Sequence, residues 1–379
     1  MFPEKLQQKL NERKENNALR TLKNQSNLID FSSNDYLGFS QSEIIFKDTH
    51  TFLTDQNIKQ NGATGSRLLS GNHQLYGLVE TQLSKFHNSE SALVFNSGYN
   101  ANLGFFSCVP QRGDIILYDE YSHASIRDGI SMSHTKAYKF KHNNLEDIKR
   151  HLERSREVSQ EANIYIVTES VFSMDGDTPD LIKLSKLCKK NNTFLVVDEA
   201  HALGVFGENG QGLVQYLNLE DHVFARIITF GKAMGCHGAA ILGHKSLIEY
   251  LTNFARSFIY TTGLSPHAVA NIKMAYEHLN ATVVEKLHQN INYFKNELQR
   301  LQLKDLFIES HSAIHCCIIS GNEQVKQIAK SLQKQGFDVK PILSPTVPKG
   351  EERLRFCLHS YNSEKEITEV LKGLAKFVK

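Results

Sequence analysis

No apolar run in this 379-residue chain approaches the roughly 18 residues that a membrane span needs, so no transmembrane helix is expected. The opening segment, Met1-Phe-Pro-Glu-Lys-Leu-Gln-Gln-Lys-Leu10, has no apolar signal-peptide core and reads as the start of a polar, amphipathic helix over 1–20. There is no basic block, and the formal net charge is only +2, which argues against nucleic acid or an anionic membrane as main partner. Cys108, Cys188, Cys236, Cys316, Cys317 and Cys357 show no Cys-x-x-Cys spacing, and several lie inside apolar runs. They read as reduced, buried small side chains of a cytoplasmic protein, with no metal site. Internal repeats and low-complexity tracts are also missing. So is any phosphate loop of the form G-x-x-x-x-G-K-[ST].

What is present is ordinary in bulk: 40% hydrophobic and 22% charged residues, typical of a soluble globular protein. The length suits one large domain with a smaller one. From about 73 to 243 short apolar runs alternate with amphipathic stretches. Strands are expected at 91–95, 114–118, 164–168, 194–198, 225–230 and 239–242, and helices at 73–87, 98–107, 122–131, 144–155 and 180–190. Such alternation predicts an α/β fold with a mostly parallel sheet covered on both faces. Ligands then bind beyond the carboxyl ends of the strands. After 266 the pattern changes to long helices (266–279, 283–302), then strand, helix, strand and helix at 313–320, 323–335, 353–358 and 364–377. The expected division is an N-terminal helix and active-site segment (1–45), a large cofactor-binding domain (46–265) and a smaller α+β domain (266–379).

Arg226-Ile-Ile-Thr-Phe-Gly-Lys232 reads as a buried strand delivering one amine to the mouth of the sheet. A lysine whose stem is packed and whose tip is desolvated becomes available as the amine of a Schiff base. About thirty residues upstream, Phe194-Leu-Val-Val-Asp-Glu-Ala-His201 ends a second buried strand in a carboxylate, Asp198, with His201 three residues later. A lysine and an acid at neighbouring strand ends are what pyridoxal phosphate needs, one to hold its aldehyde and one to pair with its pyridinium nitrogen. Asp198-Glu-Ala-His201 also matches a helicase ATPase box, but without a phosphate loop that reading fails. Asn96-Ser-Gly98-Tyr99-Asn-Ala-Asn102 carries a strand into a helix start whose free N–H groups suit a phosphate; Tyr99 there either shields a ring or simply packs. His123, in Tyr121-Ser-His-Ala-Ser125, and Ser173, in Ser170-Val-Phe-Ser-Met-Asp-Gly176, follow strands in the same way. Gly62-Ala-Thr-Gly-Ser-Arg-Leu-Leu-Ser-Gly71 is either a phosphate cradle or a flexible active-site loop.

Six motifs occur in order: Ser-Ser-Asn-Asp-Tyr-Leu-Gly (32–38), Gly-Ala-Thr-Gly-Ser-Arg (62–67), Ser-His-Ala-Ser (122–125), Val-Phe-Ser-Met-Asp-Gly-Asp (171–177), Asp-Glu-Ala-His (198–201) and Thr-Phe-Gly-Lys (229–232). Together they resemble the α-oxoamine synthases, pyridoxal-phosphate enzymes of the aspartate-aminotransferase fold (fold type I), over the chain from about residue 17. The resemblance implies that Lys232 holds the cofactor and later moves the Cα proton, Asp198 pairs with the ring nitrogen, and His201 meets the phenolic oxygen. His123 would stack on the ring, and Ser173, Thr229 and the amides of Gly98 and Tyr99 would hold ring and phosphate. Thr261 and Thr262 would reach the phosphate of a partner subunit, making a homodimer. Asn34 and Arg355 would bind the amino-acid carboxylate, and Arg20 and Thr346 the acyl group. Phe254-Ala-Arg-Ser-Phe-Ile-Tyr260, Gly238-Ala-Ala240 and Pro345-Thr-Val-Pro348 with Arg353-Leu-Arg355 look like the member that condenses L-alanine with a pimeloyl thioester in biotin synthesis. Its acyl carrier is either coenzyme A or a transiently bound acyl carrier protein. Sister members use glycine or other acyl groups, and a non-enzymatic regulator would not need the intact Lys-Asp-His set. Two departures stand out: the segment between Arg20 and Phe31 is short, and Tyr76 occupies a position where histidine is common.

Overall fold

Alternate residues of the central apolar runs face opposite ways, and both directions are buried. Leu117, Ile166, Val197 and Ile228 enter one core, while Ile116, Val167, Val196 and Ile227 enter another. Strands buried on both faces need no polar alternation, which is why these runs are continuously hydrophobic. The computed structural model describes residues 2–16, 19–20, 22 and 27–378. Its strands are β1 (Ile29–Asp30), β2 (Ser91–Phe95), β3 (Ile115–Asp119), β4 (Lys136–Phe140), β5 (Ile164–Glu169), β6 (Phe194–Asp198), β7 (Ala225–Thr229), β8 (Ala239–Gly243), β9 (Ile314–Ile318), β10 (Phe337–Asp338), β11 (Lys340–Ile342) and β12 (Arg353–Cys357).

Seven of them form one sheet in the order β2-β8-β7-β6-β5-β3-β4. Six run the same way and β8 alone runs against its neighbours. The connecting helices start where polar caps allow: Ser97 accepts from Asn100 N–H, Asn144 from Asp147 and Asp180 from Lys183. The fold is thus the expected α/β type with a mostly parallel sheet. Strand β4 and the helices Glu43–Asp55 and Lys245–Phe254 were not foreseen. The reason is plain for β4, an edge strand whose Lys-Ala-Tyr-Lys-Phe leaves only Phe140 buried.

The C-terminal part builds an antiparallel sheet, β11-β12-β9, beside the helices Asn322–Lys334 and Glu364–Val378. The helix Pro266–His278, at the start of the expected small domain, lies against Glu43–Asp55 and Gln74–Phe86. One core cluster runs through both parts, from Val94 and Leu117 to Cys316, Phe356 and Leu371. β1 pairs in parallel with β10, with Ile29 opposite Phe337. That pairing carries Asn34 and Tyr36 from near one end of the chain to the residues of β12 near the other. Among the described residues no helix is long and apolar enough to cross a membrane.

Glu199, the second acid of the Asp198-Glu-Ala-His201 segment, serves this fold rather than a nucleotide. It is fully buried and accepts from Arg226 Nε at 2.7 Å and from Val214 N–H at 2.9 Å. Arg226, equally buried, donates its remaining N–H groups to the carbonyls of His87 (2.9 Å) and Gln211 (3.0 Å). Gly212 sits at φ 106 against this carboxylate, and a Cβ there would come within 2.8 Å of Glu199 Oε1. Removing one member of such a pair leaves a buried charge uncompensated, which costs about 3–5 kcal/mol. Arg226→Met is therefore expected to lower stability by that amount in urea unfolding, whereas Arg226→Met combined with Glu199→Gln should recover part of the loss.

Candidate active site

Six strands of the large sheet end at the same edge, and the loops that follow them bring the candidate residues to one cavity of about 160 Å³. Gly98 and Tyr99 come from beyond β2, His123 from beyond β3, Asp198 and His201 from β6, and Thr229 and Lys232 from β7. β7 turns into β8 through a tight loop in which Phe230 N–H bonds Gly238 O and Cys236 N–H bonds Phe230 O. The buried Phe230 anchors this loop, so Lys232 is held at the sheet edge by packing on either side. Burial pulls its amine down to about 8, against the opposing pull of Asp198 and Glu169.

Asp198 is 5% exposed; its Oδ2 accepts from Asn102 Nδ2 at 2.8 Å and its Oδ1 from Ala200 N–H at 2.9 Å. Glu169 stands opposite Asp198 on β5. Burial and the neighbouring Asp198 push its carboxyl up to about 8, and Oε1 accepts from the main-chain N–H of His123 at 2.6 Å. His201 is buried with Nδ1 2.7 Å from the hydroxyl of Tyr36, and burial drives its pKa well below the ordinary histidine value. Neither imidazole adds a fixed positive charge, because His123 is also lowered, chiefly by burial. Thr229 faces Gly98 so closely that a Cβ on the glycine would stand 3.4 Å from Thr229 Oγ1. Ser97 caps Asn100 N–H, which leaves the N–H groups of Gly98 and Tyr99 at the helix start. The Tyr99 hydroxyl donates to Asp128 at 2.6 Å and leaves the ring half-exposed at the rim.

The other candidates lie around this cavity. Arg355, 8% exposed on β12, donates to Asn34 Oδ1 at 2.9 Å and to the Ser173 carbonyl at 2.7 Å. It is close enough to oppose the charge of both Lys232 and His201. Ser173 does not line the Lys232 cavity; with Thr346 it lines an adjoining one of about 250 Å³. His123 borders both cavities. Asn96 Nδ2 donates to Thr261 Oγ1 at 3.4 Å and closely to the Thr262 carbonyl, and Gly263 N–H bonds Gly65 O at 2.9 Å. The 62–71 loop thus supports the two threonines, with Arg67 bonded to Glu80 and lying 3.7 Å over the Tyr76 ring. Tyr76 itself is buried and accepts from Leu264 N–H at 2.6 Å, so it anchors this same segment. Arg20 is exposed on the segment before β1.

Sequence reasoning missed Asn102, Ser125, Glu169 and Tyr36. Asn102 lies one helical turn beyond Gly98 and Glu169 ends a strand beside Asp198, so both positions carried a signal. The set fits pyridoxal phosphate: a desolvated amine for an aldehyde, a buried carboxylate for a ring nitrogen, and helix-start amides beside a threonine for a phosphate.

The model of the aminotransferase class I and II family matches residues 26–374. The chain belongs to that family. It sits there among acyl-transferring synthases. An 8-amino-7-oxononanoate synthase of Emericella nidulans is 39% identical over 371 residues, 93% of this chain and 90% of the relative. One from Saccharophagus degradans is 36% identical over 93% and 87%. Among solved structures, a serine palmitoyltransferase from S. paucimobilis with bound PLP–myriocin superposes with TM-score 0.87 at 26% identity, over 98% of this chain and 96% of that one. The 8-amino-7-oxononanoate synthase of Francisella tularensis superposes with TM-score 0.75 at 29% identity, over 92% and 97%. The fold is that of the type I pyridoxal-phosphate enzymes, and pyridoxal phosphate is the cofactor that this site fits.

A lowered lysine pKa means that the neutral, nucleophilic amine exists at lower pH than on an ordinary lysine. In cofactor-free protein, reductive labelling with pyridoxal phosphate and cyanoborohydride should map to Lys232. Its rate should rise through a midpoint near pH 8, where burial places the amine. Label on another lysine, or a midpoint above pH 10 or so as for a free lysine, would contradict this account of Lys232.

Proposed function

We propose that the chain condenses L-alanine with a pimeloyl thioester, carried by coenzyme A or an acyl carrier protein, to give 8-amino-7-oxononanoate, carbon dioxide and the free thiol. A bond forms between alanine Cα and the thioester carbonyl carbon, the carbon–sulfur bond breaks, and the alanine carboxylate leaves as carbon dioxide. The observation that carries this reading is the buried Arg355–Asn34 pair beside Lys232, a fixed site for an amino-acid carboxylate. The 36–39% identity to named 8-amino-7-oxononanoate synthases supports the substrate pair.

When bound, the cofactor supplies an electron sink for the bond broken at Cα. Lys232 would hold the cofactor, and its amine would move the alanine Cα proton. Asp198 keeps the ring nitrogen protonated, and Asn102 with the Ala200 amide keeps Asp198 in place. His123 would cover the ring, His201 would meet its phenolic oxygen, and the Gly98 and Tyr99 amides with Thr229 would hold the phosphate. Thr346 and the adjoining cavity receive the acyl chain, and Arg20 pairs with its terminal carboxylate. Biotin synthesis in the cytoplasm is the setting this chemistry suits.

A panel of alanine, glycine and serine against pimeloyl, acetyl and palmitoyl thioesters, read by mass spectrometry, tests the reading. Alanine with pimeloyl thioester should give 8-amino-7-oxononanoate; preferred turnover of serine with palmitoyl thioester would move the chain to the other reaction. Arg355→Ala should raise the KM for alanine more than tenfold, since a charge-assisted hydrogen bond contributes about 1.5–3 kcal/mol. Arg20→Ala should raise the KM for pimeloyl thioester only, leaving alanine Cα–deuterium exchange as it was.

Thr261 and Thr262 lie outside the Lys232 cavity, held by Asn96, which supports a homodimer in which they serve the opposite subunit's phosphate. A Lys232→Ala chain mixed with a Thr261→Ala/Thr262→Ala chain should regain part of the activity after subunit exchange. A fully active monomer by light scattering would end the dimer reading.

A further inference from the structure

Asp198, Asn102, Ser125 and His123 form one chain of hydrogen bonds in which every donor is fixed by its neighbour. Asp198 accepts from Asn102 Nδ2 at 2.8 Å. The amide nitrogen must face the carboxylate, because the amide oxygen there would set two acceptors against each other. The same nitrogen donates its second hydrogen to Ser125 Oγ at 3.0 Å, and Asn102 Oδ1 is left buried without a partner. With its oxygen accepting from Asn102, the Ser125 hydroxyl turns its own hydrogen to His123 Nδ1, 2.7 Å away. Ser125 N–H reaches the same nitrogen at 3.2 Å. Nδ1 is therefore met by two donors and has no room for a proton of its own.

We propose that Asn102 and Ser125 are positioning residues that hold His123 as the neutral imidazole with its proton on Nε2, so that one N–H donor stands where the two cavities meet. His123 lines both cavities, while Asn102 and Ser125 are 2% and 1% exposed. The charged and titratable groups around the ring are Asp198, Lys232, Arg127, Asp128 and His201, with Glu169 on its main-chain amide. Burial, Lys232 and Arg127 act against an imidazolium, and together they outweigh Asp198 and Asp128. The donor suits an oxygen of the bound substrate. That use rests on the condensation proposed above, but the tautomer does not.

The test is nitrogen-15 NMR of the full-length, cofactor-loaded protein labelled at histidine, with His123 assigned by its loss in His123→Gln. His123 should show one unprotonated nitrogen, Nδ1, and one protonated nitrogen, Nε2, at neutral pH. Ser125→Ala should move its titration midpoint upward and reduce kcat roughly tenfold, the worth of one hydrogen bond, with the KM for alanine unchanged. Ser125→Thr, which keeps the hydroxyl, should restore both. A wild-type spectrum with the proton on Nδ1, or an imidazolium at pH 7, would overturn the proposal, as would a Ser125→Ala protein whose His123 titrates as before. Absence of condensation activity alongside the expected spectrum would count against the reaction and leave the tautomer standing.

Discussion

Asp198 is the constraint around which the site is arranged. A carboxylate buried at the end of a parallel strand must be supplied with donors, and the chain provides a side-chain amide from one helix and a main-chain amide from the next turn. Glu169 stands beside it on β5, and two adjacent buried carboxyls do not both ionise easily. Glu169 is pushed up to about 8, while the hydrogen bond that its side chain accepts from His123 N–H fixes the backbone of His123. Asp198 and Glu169 both line the Lys232 cavity. The same burial, with His201 and Arg355 close by, lowers the amine of Lys232 to about 8.

Adjacent acids on one short segment divide two tasks. Asp198 faces the cavity, and Glu199 turns to the opposite side, where Arg226 meets it in a fully buried pair. Arg226 lies on β7, the strand that leads to Lys232, so the pair fixes the relative position of the two strands whose ends carry the acid and the amine. The same seven-residue stretch thus contains a structural cation at its start and the reactive amine at its end.

The large sheet was readable because its central strands are buried on both faces, and a continuous apolar run ending in one polar residue marks both strand and site. Asp198 and Lys232 stand out for that reason. Asn102 and Ser125 do not, because a polar residue inside a helix of mixed composition looks like one facing solvent; only the sheet edge beneath it shows that it is buried. β4 alternates with lysines because it is an edge, and β1 with β10 are two-residue pairings between distant segments, with no local periodicity to find. Asn34 and Arg355, 321 positions apart, could be associated only through the resemblance of their surrounding motifs.

That long-range pairing ties distant parts of the chain together at one guanidinium. Arg355 touches Asn34 from the segment after β1, Ser173 from the loop after β5 and Cys357 on its own strand. Three separate parts of the chain therefore converge on one guanidinium. Tyr36, two residues after Asn34, extends the connection to His201. The Arg355 guanidinium is already held by Asn34, Ser173 and Cys357, so the direction of its donors is set before any anion arrives. In this arrangement Arg355, Asn34, Tyr36 and His201 belong to one hydrogen-bonded unit, built from residues that meet only because β1 is sewn to β10.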